Sequence, residues 1–382
     1  MRYDVDISKN ILNWLLSNLD PEKTNPGVLE TLNEWKNEQK KPTYNKVLEI
    51  SRSTGIPLGY FFLETPPKED LSFVNYRTIN STELKTPSRE LKTIMLDMEL
   101  IQDWIRNQLI SDGESKNLYV NSLKSNDITA LAQKVRKELN IKTDWFKYLK
   151  TSDEPFKMFR TAISDSGVVV MSNSIVRNNT SKLLSIDEFR AFALIDDYAP
   201  LIFINTNDSA NGKLFSLLHE YVHIGLGENS VYNDRCSCSF DVKTTETICN
   251  KVSAEILVPQ EIFIKQWTAQ NSQEIDEIIK NLSKFFKCGT TVIARKALEN
   301  NYIDSKTYYS IAQNAVSNYK KNKSGGGSFY RGLNAKIDSN FLNLLFNKVE
   351  QGKTLYTEAF RLTNTNRKTF NELKTRFEGG LL

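Results

Sequence analysis

The stretch Leu217-Leu218-His219-Glu220-Tyr221-Val222-His223-Ile224 constrains this chain more than any other. The protein has only two histidines in 382 residues, and both lie here, four apart, with a glutamate directly after the first. On a helix, residues i and i+4 share one face, so both imidazoles point at one spot. That is the geometry by which an HExxH segment offers two neutral imidazoles to Zn²⁺ and leaves the glutamate beside the metal. Two histidines placed at random are rarely four apart with a glutamate between them, roughly once in a few thousand sequences. Leu214, Phe215, Leu218, Val222 and Leu226 give the flanks helical apolar spacing. The helix is expected from about Lys213 to Ile224, with Gly225 and Gly227 as its stop.

A catalytic zinc site takes three protein ligands and keeps a fourth position open. The chain has no third histidine, and nothing in the pattern prefers sulfur, so a carboxylate is expected. Glu246 is the best candidate, 23 residues beyond His223 near the start of the next helix, which should end at Val258-Pro259. Asp241 and Glu255 are its rivals. Glu255 falls roughly opposite Glu246 on a 3.6-residue period. Glu246 also has a simpler role open to it, as charge complement to a helix amino terminus. Cys236 and Cys238, in the loop between the two ligand helices, are either ordinary thiols or a redox or metal switch over the site.

The rest of the chain frames this segment. Residues 7 to 63 read as short helices carrying Ile11, Leu12, Leu15, Leu16 and Leu19, then Val28, Leu29, Leu32 and Trp35, then Val47, Leu48 and Ile50. Turn signals separate them, which fits a helix-turn-helix module. Met1 to Pro66 holds 8 Lys plus Arg against 9 Asp plus Glu, whereas a DNA reader is usually basic. A DNA-binding domain, a protein-binding module and a plain helical cap all remain open. Thr65 to Asp70 reads as a linker, and helices are expected over Arg89–Leu109 and Asp127–Leu139. Gly167–Met171, Phe189–Ile195 and Pro200–Ile204 are short β-branched and aromatic runs, read as a small antiparallel or mixed sheet. Helical patterning resumes from Glu261 to Tyr319. Lys320 to Ser328 is the clearest linker. Asn318 to Leu382 carries 12 Lys plus Arg against 5 Asp plus Glu, a basic region that fits an acidic partner, nucleic acid or a solvated helical face.

Composition excludes some classes. A net charge of +4 is too small to imply a nucleic-acid partner by itself. The amino terminus lacks the apolar core of a signal peptide, and no apolar run approaches membrane-spanning length. Four cysteines in so long a chain are no disulfide framework, so the expectation is a reduced, cytoplasmic protein without a membrane partner.

Taken together, these segments resemble the long form of the ImmA/IrrE family of metallo-endopeptidases, which carries an Xre-type helix-turn-helix ahead of its peptidase domain. Phe215 to His223 looks like that family's zinc helix, and Glu246 to Pro259 like its second helix. Pro200 to Asn205 is similar to the strand before the active-site helix. Lys41-Pro42-Thr43 and Tyr60 to Leu63 with Pro66-Pro67 look like the end of the helix-turn-helix, and Tyr76-Arg77-Thr78 like the segment after it. Gly325 to Arg331 resembles the start of the carboxyl-terminal extension. Asp20 to Gly27, with two prolines, and the loop from Gly227 to Thr244 depart from the pattern.

The resemblance implies an α+β protein, mostly helical, with a zincin-like peptidase domain around a small sheet. It implies a helix-turn-helix-like domain at residues 1–65, a linker and helix at 66–125, the zinc metallopeptidase domain with a helical subdomain at 126–323, and a basic helical extension at 324–382. His219, His223 and Glu246 would be the zinc ligands and Glu220 the general base. The implied activity is cleavage of a helix-turn-helix repressor or similar regulator in a stress, mobile-element or toxin–antitoxin setting. The alternative is a non-catalytic, antitoxin-like binding protein with a structural or vestigial zinc site, touching DNA or a partner through its ends. A zinc hydrolase of small amides shares only the motif.

Overall fold

The computed structural model describes residues 3–19, 21, 24–54, 56–67, 87–151, 153–227, 230–232, 244–270, 274–321 and 336–380. The expectations for Cys236, Cys238, Asp241, Tyr76-Arg77-Thr78, Gly325–Arg331 and most of the two linkers lie outside these residues. The contact pattern divides the chain into two units, Met1–Phe73 and Val74–Leu382.

The first unit is a small helical body. Helices α1 (Lys9–Asn18), α2 (Pro26–Lys36) and α3 (Tyr44–Thr54) are followed by a 3₁₀ turn at Leu58–Phe62. Ser8 caps α1 by accepting from Ile11 N at 3.2 Å. Pro26, at the first position of α2, sits where a missing N–H costs nothing. Ile11, Leu15, Leu32, Trp35, Val47, Ile50 and Phe61 close one apolar core.

The second unit is organised on a four-stranded sheet, built from β1 (Val169–Asn173), β2 (Ala191–Leu194), β3 (Leu201–Asn205) and β4 (Ser230–Tyr232) in the order β1-β3-β2-β4. β1 runs parallel to β3, while β2 is antiparallel to both of its neighbours, so the sheet is mixed. Both faces are covered, which is why β3 reads as a continuous apolar run instead of alternating. On one face Val170, Ala191, Ala193, Ile202 and Ile204 join a core with the histidine helix. On the other, Met171, Phe192, Leu194, Leu201 and Phe203 pack with α4 (Arg89–Ser111) and the carboxyl-terminal helices.

The histidine helix, α7 (Ala210–Leu226), begins three residues before its expected start because Ser209 caps it, accepting from Gly212 N at 3.0 Å. It is buried nearly all round and packs against α6 (Glu154–Asp165), α8 (Thr244–Leu257), β2 and β3. α6 has no counterpart among the sequence expectations. Of the two expected stop residues, only Gly227 ends the helix, with φ +79° and its N–H on His223 O at 2.9 Å. Gly225 is helical, and it is glycine for another reason. A Cβ there would stand 2.6 Å from Leu123 Cδ1 and 2.7 Å from the Tyr119 hydroxyl.

That close approach is how the helix end is satisfied. The last carbonyls of a helix lack intrahelical partners. Here Asn121 N donates to Ile224 O at 3.1 Å and Leu123 N to Gly225 O at 2.8 Å. The same strap stacks Tyr119 on Tyr221, ring centroids 4.1 Å apart, and Tyr119 Oη donates to Tyr221 O. The polar stretch before α5 (Ile128–Glu138) therefore holds α7 in place.

The remaining described helices are α9 (Gln260–Thr268), α10 (Ile275–Phe286), α11 (Thr290–Glu299), α12 (Ser305–Lys321), α13 (Ser339–Glu350), α14 (Tyr356–Thr363) and α15 (Arg367–Glu378). The last three pack over the sheet face opposite α7. They are fastened to β1, an edge strand, by Asp338, whose Oδ2 accepts from Val170 N at 3.1 Å. Among the described residues no helix is long and apolar enough to cross a membrane.

Candidate metal centre

α7 presents His219 and His223 from successive turns, and α8 crosses it with Glu246 in its first turn. His219 Nε2 and His223 Nε2 are 3.1 Å apart. Glu246 Oε2 lies 3.2 Å from His219 Nε2, and Oε1 lies 3.3 Å from His223 Nε2. Both imidazoles are buried, while the Glu246 side chain keeps 19% of its surface open. The structure thus brings together the three residues that the sequence singles out as ligands.

The spacing can be tested against a metal. Zinc–nitrogen and zinc–oxygen bonds of about 2.0–2.1 Å at a tetrahedral angle put neighbouring donors about 3.3 Å apart. The three contacts fall at or just inside that value. Each contact is also within hydrogen-bond range, and one divalent ion would satisfy all of them together. The Glu246 carboxyl responds accordingly: burial works against its ionisation, yet His219 and His223 hold it far below the usual carboxylate range. His223 is pushed upward although burial opposes its charge, through Cys249 and Glu246 and the nearby Glu220. Both shifts have one cause: the carboxylate and the imidazoles stabilise one another's charged forms. The residues present fit Zn²⁺ or a similar divalent ion.

Glu220, the expected base, is fully buried on α7 beside the two imidazoles. Glu255, a rival for third ligand, points away from the cluster. It ion-pairs with buried Lys296 and accepts from Gln260 N at 3.0 Å, while Arg136 donates to its backbone carbonyl at 3.0 Å. Its turn of α8 faces α11 and α5 instead, as the helical period requires.

Cys249 is the residue that sequence reasoning passed over. It is buried and unbridged, three positions after Glu246 and therefore on the same face of α8. Its sulfur and one nitrogen from each histidine lie within 4.8 Å of one another. The spacing Glu-x-x-Cys on a ligand helix is the signal that could have found it.

The fold and site define a class: a zincin-like α+β domain with flanking helical regions. Residues 163–298 match the family model described as the IrrE N-terminal-like domain, a metallopeptidase domain, and this span holds the whole sheet, α7, α8 and the helices up to α11. Residues 337–376, which hold α13 and α14 and nearly all of α15, match a domain of unknown function (DUF8813). No curated protein and no solved structure matches the chain.

Proposed function

We propose that the protein is a zinc-dependent endopeptidase of the ImmA/IrrE type, with His219, His223 and Glu246 as metal ligands and Glu220 as general base. One observation carries the reading: the imidazole Nε2 atoms of His219 and His223 and the two carboxylate oxygens of Glu246, from two helices, approach one another at 3.1–3.3 Å. When bound, Zn²⁺ supplies an acidified water and an electrophilic scissile carbonyl. Glu220, next to His219 on the same helix, accepts the water proton on its carboxylate and returns it to the leaving amine. The strap at Tyr119–Leu123 fixes that helix at its carboxyl-terminal end. The substrate of this reading is a protein, a helix-turn-helix repressor or a toxin partner, in a stress, mobile-element or toxin–antitoxin setting. The helical first unit, as an Xre-type helix-turn-helix domain, and the basic carboxyl-terminal region are the surfaces for DNA or partner contact.

The test is to incubate the zinc-loaded protein with the repressor or toxin encoded beside its gene. Wild type should cut it in a metal-dependent way. Glu220→Gln should keep zinc and lose roughly 10²- to 10⁴-fold in rate. Full cleavage by the Gln variant refutes the assignment.

Cys249 supports a second reading. A thiolate in the fourth position would close the site, and closed four-ligand sites are structural. The protein would then act by binding, as a non-catalytic regulator. Substituting Co²⁺ separates the two: a near-ultraviolet thiolate-to-metal absorption, lost in Cys249→Ser, marks the closed site.

A further inference from the structure

The sheet face away from the histidines carries a recess with its own chemistry. Its mouth is a cavity of about 370 Å³ between α4 and α14, walled by Asp97, Leu100, Arg177, Arg361 and Asn364. A narrower cleft of about 50 Å³ shares Asp97, Ile101, Arg177, Leu362 and Asn364 with it and reaches inward past Met171 and Phe203 to Lys336. The mouth is within the size range of small-ligand sites, and the cleft holds a few waters or one compact head group.

The charges in this recess do not cancel. Arg177 clamps Asp97 with two parallel bonds, Nε to Oδ2 and Nη2 to Oδ1, both 2.9 Å, so that pair is neutral. Arg361 and Lys336 have no acidic partner among the described residues. Half-buried Lys336 is pushed below the usual lysine range by burial alone. The amides of Asn173, Asn178 and Asn364 ring the same spot: Asn173 Nδ2 donates to Arg177 O at 2.9 Å and Asn178 Nδ2 to Asn364 O at 2.6 Å.

The backbone gives a separate indication. Arg177 and Asn364 both adopt left-handed conformations, φ +53° and +51°. Asparagine does so readily at a helix end, but a long side chain like arginine does so at a cost. At 177 the turn aims a guanidinium across the mouth.

We propose that this recess binds a small organic phosphate, a phosphomonoester seated by its head group against Lys336 and by its body between Arg177 and Arg361. Arg361 and Lys336, the cations of the lining that no carboxylate among the described residues engages, suit a multi-oxygen dianion better than a single carboxylate. Leu100, Ile101 and Leu362 give the body an apolar floor. The walls come from both matched regions, since Arg361 and Asn364 belong to residues 337–376 and Met171 and Phe203 to residues 163–298. Phe203 stands on the same strand whose other face carries Ile202 and Ile204 against α7. Ligand in the recess would tie the carboxyl-terminal helices to the sheet behind the histidines.

The test is calorimetric titration of the full chain with inorganic phosphate, glycerol 3-phosphate, adenosine monophosphate and acetate. A phosphomonoester should bind saturably, with Arg361→Gln and Lys336→Gln each about ten- to a hundredfold weaker. Arg367→Gln, an exposed arginine outside the recess, should leave binding unchanged. Arg361 is itself exposed, so its replacement leaves the core intact. No saturable binding of any phosphate ester overturns the proposal. So does equal binding of acetate, or an equal loss in Arg367→Gln.

Discussion

The two faces of one small sheet do opposite work. Toward α7 the strands offer aliphatic side chains and no rings, Ala191 and Ala193 beside Val170, Ile202 and Ile204, and the layer beyond them buries two histidines and a glutamate. Toward α4 the same strands offer Phe192, Phe203, Met171 and Leu194, and the layer beyond is apolar and aromatic. Large rings hold a cover in place through area and edge-to-face contacts. The two alanines let the histidine helix pack closely on β2. Stability and chemistry are thus drawn from alternate residues of the same strands.

Substitutions can break this division. The largest effect is expected at the site: His223→Ala should lose both metal, measured by elemental analysis, and cleavage, with little change in the folded core. Next comes the far face, where Phe203→Ala should cost about 3–5 kcal/mol in urea unfolding while the folded protein still takes up one metal ion. A far-face substitution that abolishes metal uptake in folded protein would end the comparison. Gly225→Ala is smaller, about 1–3 kcal/mol of overpacking against Leu123 and Tyr119, and it should weaken metal binding too, because the strap holds α7. The smallest effect concerns acid. Lys348, buried, donates to both oxygens of Asp112 at 2.5 Å. That bond holds the Asp112 carboxyl below its ordinary value, against a smaller opposing effect of desolvation. A depressed carboxylate contributes stability that is present above its unfolded pKa and is lost as pH falls through the folded one. Melting temperature against pH should therefore fall on the acid side of the usual carboxylate range, and less steeply in Asp112→Asn.

The site was more legible than its surroundings. The spacing of His219 and His223 and the position of Glu246 at a helix start are local signals, and helical geometry turns them into convergence. The strands announced themselves through β-branched and aromatic runs. Which face each residue would take did not show, because β3 is buried on both sides and its pattern does not alternate. Gly225 read as a helix stop because a glycine in a helix usually marks an end. Its real constraint is a tyrosine and a leucine from residues 119 and 123, a contact made across a hundred positions. Cys249 was hidden by a simple expectation, that a site with a good carboxylate has no use for sulfur. Glu255 could be set aside on helical period alone, but its partner Lys296 lies on a helix whose packing no local pattern gives.

The alanines of β2 have one more consequence. Both are fully buried in the core they share with α7, so a larger side chain at 191 or 193 has no free space to enter. A methyl or two added at either position would displace α7, and His219 and His223 with it, relative to Glu246 on α8. On the proposed reading, metal affinity would then be adjustable from behind, through residues that never touch the ion.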